Sequence, residues 1–81
     1  MEPEITLRHL AKDQEAVIVK VRARGELGRR IRDMGLVAGT RIRVIGRAPL
    51  KDPVEIKLMG YNLTLRNNEA DSILVRPEVV A

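Results

Sequence analysis

Period-two alternation governs most of this chain. Ile5-Thr6-Leu7 is a short alternating start, and Thr40 to Arg47 carries Ile42 and Val44 on one side against Arg41, Arg43 and Arg47 on the other. Val54-Glu55-Ile56-Lys57-Leu58 repeats the pattern, and Tyr61, Leu63 and Leu65 then alternate with Asn62, Thr64 and Arg66. Successive side chains of a strand point to opposite faces, so each run predicts a strand with one apolar face. The run from Glu15 to Arg22 belongs with them and puts Val17, Val19 and Val21 on a common face. Ile73-Leu74-Val75 supplies a last short strand.

One segment departs from this period. Leu27, Ile31 and Met34 recur at the spacing of a helical face, with Arg29, Arg30, Arg32 and Asp33 elsewhere on the turn, which predicts a short amphipathic helix. The spaced glycines of Gly25-Glu26-Leu27-Gly28-Arg29-Arg30 lack the lysine and serine of a phosphate loop and the third glycine of a dinucleotide fingerprint, and read as a loop ahead of that helix.

The breaks between runs have identifiable chemistry. Gly35 lies just past the helical pattern, where a left-handed residue commonly ends a helix, and Gly39 closes the turn that leads to the next strand. Met59-Gly60 predicts a tight hairpin. Between the two central strands, Ala48-Pro49-Leu50-Lys51-Asp52-Pro53 is stiffened by two prolines. Asn67 or Asn68 is suited to cap a single helical turn through Glu69, Ala70 and Asp71. Several short strands with one helix in 81 residues predict a mainly β, partly closed five-stranded barrel, because closure hides sheet edges in a small fold. An SH3-like barrel is the expected form and an OB-like barrel the alternative. The length fits a single domain over 1–81 with its core at about 5–76.

Composition limits the chemistry. The chain has no Cys, Trp or Phe and a single Tyr, so disulfides, thiolate metal sites and cysteine nucleophiles are excluded and the core must be aliphatic. The sole histidine, His9, belongs to no catalytic or metal motif. Asp52 with Glu55, and Glu69 with Asp71, are the carboxylate pairs able to offer oxygen ligands, and both also suit solvated caps and strand faces. These absences predict a protein that binds rather than catalyses, in a reducing cytoplasm. No apolar run approaches the roughly 20 residues of a membrane span, and no signal peptide is expected.

Charge is concentrated. The net charge is +4, yet residues 20 to 47 hold Lys20, Arg22, Arg24, Arg29, Arg30, Arg32, Arg41, Arg43 and Arg47 against only Glu26 and Asp33. Such a segment suits an acidic or phosphate-bearing partner. A nucleic-acid-binding barrel is one reading, weakened because Tyr61 is the sole aromatic available for base stacking.

Leu27 through Gly39, reading Leu-Gly-Arg-Arg-Ile-Arg-Asp-Met-Gly-Leu-Val-Ala-Gly, resembles the FeoA pattern of a short helix ending in Gly-Leu-x-Pro-Gly. Ala48-Pro49-Leu50-Lys51-Asp52-Pro53 is similar to the family's Ala-Pro-(Leu)-Gly-Asp-Pro loop, and Leu63-Thr64-Leu65-Arg66 with Glu69-Ala70 resembles its closing element. Ala38 and Lys51 depart from the family's usual proline and glycine. The resemblance covers about residues 5 to 76. It implies an SH3-like, non-enzymatic cytosolic accessory of ferrous iron uptake, acting beside FeoB, the permease that carries a cytosolic G domain, and recruited to the inner face of the cell membrane. It also allows weak association with a divalent transition metal, and a metal-responsive regulatory module is a further alternative. A free-standing repressor is not expected, since no helix-turn-helix precedes Ile5. The expected partner surface combines Arg29, Arg30 and Arg32 with the loop of Pro49, Leu50, Lys51, Asp52 and Pro53, while Gly35, Gly39 and Gly60 are expected to be structural turns. No metal ligand set is assigned, and a monomer is expected.

Overall fold

The computed structural model describes residues 4–47 and 52–78. Six antiparallel strands form one sheet in the order β1-β6-β2-β3-β4-β5, from β1 (Ile5–Thr6), β2 (Glu15–Val21), β3 (Arg41–Arg47), β4 (Val54–Leu58), β5 (Tyr61–Leu65) and β6 (Ile73–Glu78). Helix α1 (Gly25–Asp33) joins β2 to β3, and the single-turn α2 (Asn67–Ala70) joins β5 to β6. The mainly β expectation with one short helix and a terminal helical turn matches this structure. The strand count is six rather than five because the short start pairs with β6, Ile5 opposite Val75 and Thr6 opposite Leu74. The edge strands β1 and β5 are not paired with each other, so the sheet is not closed.

Alternation delivers the core. Ile42 and Val44 of β3 and Val54, Ile56 and Leu58 of β4 are buried, joined by Leu7, Leu10, Ile31, Leu36, Leu65, Ile73 and Val75 in one aliphatic cluster. Burial of such side chains stabilises by about 1.5–3 kcal/mol each. The β4–β5 hairpin turns through Met59 at φ 50° and Gly60 at φ 85°, the paired positive angles whose twist suits a two-residue hairpin.

Two bulges depart from strict alternation and move side chains off their expected faces. In β2 the register with β6 shifts between Ile18 and Lys20. Ahead of the shift Ala16 and Ile18 are buried and Val17 lies on the other face between Arg41 and Arg76; after it Val21 packs beside the core opposite Ile73. Val17, Val19 and Val21 do not share one face as the sequence pattern predicts. In β3 the register with β4 shifts between Val44 and Gly46, which sets Arg47 opposite the buried Val54. An extra residue in one strand bends it and inverts every later side chain.

Three local expectations are corrected. Gly25 through Arg30 is not a loop but the beginning of α1 itself. A Cβ at Gly28 would stand 2.3 Å from the Ala23 carbonyl oxygen, so a glycine lets the helix lie against the preceding backbone. The cap of α2 is Arg66, not Asn67 or Asn68: the Arg66 amide donates to Glu69 Oε1 at 2.9 Å. Strand β6 runs on to Glu78 through Pro77, where β1 no longer pairs along its flank and the missing proline N–H costs no ladder bond.

Candidate partner-binding surface

Helix α1 buries Ile31 and half-buries Leu27, which leaves Arg29, Arg30 and Arg32 exposed on its outer side. Arg29 is paired with Glu26 in the first turn. Arg30 Nη2 donates to Glu69 Oε2 at 2.7 Å, and this carboxylate is buried although the arginine is exposed. Glu69 thus accepts from α1 on one oxygen and from its own helix start on the other.

The same turn reaches the proline loop. The Asn67 amide donates to Asp52 Oδ1 at 2.9 Å. Helix α2 therefore ties the basic side of α1, through Glu69, to the C-terminal anchor of the 48–53 segment, through Asn67. Of the loop residues, exposed Asp52 and half-buried Pro53 are described, whereas Pro49, Leu50 and Lys51 lie outside the described residues.

The glycine turns sit at φ 93° for Gly35, 93° for Gly39 and 85° for Gly60, all in the left-handed region. Gly35 has a second constraint that the sequence does not show. The Tyr61 hydroxyl donates to the Met34 carbonyl at 2.6 Å, and it would lie 3.1 Å from a Cβ placed on Gly35. The aromatic side chain of β5 thereby latches the end of α1 to the hairpin.

The predicted basic surface is divided. Arg41 binds Glu78 with two hydrogen bonds, at 2.7 and 3.3 Å, and Arg43 lies 3.7 Å from Asp13. Arg47 does not join Arg41 and Arg43 on an outward face, because the β3 bulge turns it across the sheet, where it donates to the carbonyls of Arg8 and Leu10, the latter at 2.9 Å. It is a clasp on the N-terminal segment. Three of the four carboxylates in the two pairs are also occupied: Asp52 by the Asn67 amide, Glu55 by the Asn62 side chain, and Glu69 by Arg30 and Arg66, while Asp71 is exposed. His9 Nδ1 is bonded to the Thr6 hydroxyl at 2.8 Å. Among the described residues no group of three or more His, Cys, Asp or Glu converges to hold a metal ion, and no helix is long and apolar enough to cross a membrane.

The family model of the FeoA domain matches residues 5–77. This chain belongs to the FeoA family. It is 45% identical over 69 residues to an Fe(2+) transport protein A/Fe(2+) transporter FeoB fusion protein of Porphyromonas gingivalis, a match covering 85% of the chain. The chain spans only 8% of that curated relative's length. Among solved structures it resembles a FeoA-like protein of Clostridium acetobutylicum, with TM-score 0.90 and 34% identity over 100% of this chain and 94% of the other. It also resembles Stenotrophomonas maltophilia FeoA complexed with zinc, described as a prokaryotic SH3 domain protein, with TM-score 0.81 and 27% identity over 95% of this chain and 99% of the other. The SH3-like expectation is met, and FeoA is linked to ferrous iron transport through a relative in which FeoA and FeoB share one polypeptide.

Proposed function

We propose that this FeoA-family chain is a non-enzymatic accessory of ferrous iron uptake, a single domain that docks on the cytosolic part of a FeoB-type permease at the inner face of the membrane. The observation that carries this reading is the fusion of FeoA and FeoB in the Porphyromonas gingivalis relative. Covalent linkage holds two modules at an effective concentration on the order of millimolar, which serves modules that work on one another. Wherever FeoA and FeoB are separate polypeptides, the FeoA surface must supply the same encounter.

The docking surface we propose joins the outer side of α1, at Arg29, Arg30 and Arg32, to the loop of Pro49, Leu50, Lys51, Asp52 and Pro53. Two contacts support treating them as one surface: Arg30 with Glu69, and Asn67 with Asp52, both made by α2. Arg29 and Arg30 keep 67% and 68% of their side-chain surface exposed despite their ion pairs, so a partner's carboxylates can meet them without unfolding anything. Arginine forks bind carboxylates bidentately, and a proline-restricted loop loses little conformational entropy on docking.

The test is binding of the permease's cytosolic domain by paired variants. Leu50→Asp and Arg32→Glu should each weaken binding about tenfold or more while circular dichroism and melting temperature stay those of the parent chain. Unchanged affinity in both folded variants would remove this surface from the account.

A further inference from the structure

Of the nine basic side chains between residues 20 and 47, five are engaged: Arg29, Arg30, Arg41 and Arg43 by carboxylates, and Arg47 by two backbone carbonyls. The other four, Lys20, Arg22, Arg24 and Arg32, have no carboxylate partner among the described residues. These four line one hollow of about 510 Å³ where the end of β2 runs into α1. All four are exposed. Arg32 is brought there from the next turn of the helix, its Nη1 lying 3.3 Å from where a Gly28 Cβ would stand, beside the Ala23 carbonyl.

Four like charges gathered with no carboxylate partner among the described residues raise the local positive potential, which favours binding of an anion. A flat acidic surface would suit the convex, solvated arginines of an ordinary basic face. A concave hollow with three planar guanidiniums and an ammonium suits a compact oxyanion of high charge, whose oxygens accept bidentate hydrogen bonds from several directions. Among the described residues only Tyr61 is aromatic, and it is held by the Met34 carbonyl, so the hollow has no base-stacking platform.

We infer that the hollow formed by Lys20, Arg22, Arg24 and Arg32 binds a compact polyanion built of linked phosphate groups. None of the side chains it uses is needed for the core; Arg32 is shared with the proposed permease-docking surface, whereas Lys20, Arg22 and Arg24 lie outside it, so a variant at Arg22 and Arg24 tests the hollow without touching that surface.

The experiment is titration of the full chain with sodium tripolyphosphate, followed by calorimetry and by amide NMR shifts, at low and at physiological salt. One-site saturable binding is expected, with shifts confined to residues 20–25 and 28–32 and with a raised melting temperature. An Arg22→Ala/Arg24→Ala double variant should bind about tenfold more weakly, equivalent to about 1.4 kcal/mol, whereas Arg41→Ala/Arg43→Ala should change affinity less than about twofold. A parallel titration with a nucleoside triphosphate identifies the source: equal affinity shows recognition of the phosphate chain alone, and tighter affinity shows recognition of a nucleotide carrying it. Shifts scattered over the whole basic surface, equal losses in the two double variants, or tighter binding of single-stranded RNA through the same residues would overturn the assignment.

Discussion

Arg30 and Glu69 meet at 2.7 Å across 39 residues of sequence, joining α1 to α2. The carboxylate is the one buried charged side chain among the described residues, and its other oxygen holds the Arg66 amide at 2.9 Å. Removing Glu69 therefore strips a cap and an ion pair together. Glu69→Ala should destabilise the fold by about 2–3 kcal/mol, and Arg30→Ala, whose guanidinium is largely exposed, by about 1 kcal/mol. Urea denaturation of both single variants and the double variant would measure the coupling, which should exceed about 0.5 kcal/mol.

Gly28 and Gly25 should respond differently to alanine although both lie in α1. Gly28→Ala drives a methyl against the Ala23 carbonyl and should cost more than about 2 kcal/mol, seen as a fall in melting temperature of roughly 10 °C. Gly25→Ala meets no atom within 4 Å, and its cost, about 1 kcal/mol, comes only from the positive φ of 62°.

The Tyr61 latch predicts a loss localised to the helix end. Tyr61→Phe keeps the ring and deletes the hydroxyl that reaches Met34, so stability should fall by about 1 kcal/mol. Amide exchange should accelerate at residues 34–36 more than in β2 or β3.

The strands, the helix and their hydrophobic faces were legible because burial imposes period two on a sheet and period 3.6 on a helix. Ile42, Val44, Val54, Ile56 and Leu58 all point where that period sends them. The bulges at Val19 and Ile45 were not legible, since an inserted residue leaves no mark in a string of aliphatics; the first separates the faces of Val17 and Val21, and the second turns Arg47 from its expected face. The division of the basic segment was also hidden. Arg41 and Arg30 find Glu78 and Glu69 only through strand order and helix placement, so nine similar charges become five structural ones and a separate group of four. The Arg66 cap escaped notice because it works through its backbone amide, with Glu69 supplying the acceptor; the Glu three residues on was the available signal.

Arg47 should behave as a clasp rather than as part of a binding surface. Arg47→Ala releases the carbonyls of Arg8 and Leu10, so hydrogen exchange should quicken from Leu7 to Leu10. Arg47→Lys should restore little, because one ammonium lacks the planar fork that spans both carbonyls.

The central claim is docking on a FeoB-type permease, and the most direct measurement is titration of the fluorescently labelled chain with the isolated cytosolic domain of its cognate permease, with and without guanine nucleotide, at physiological salt. The account predicts saturable one-to-one binding that is weakened by Leu50→Asp and by Arg32→Glu. No binding in either nucleotide state, beside saturable binding of a random RNA under the same conditions, would contradict it.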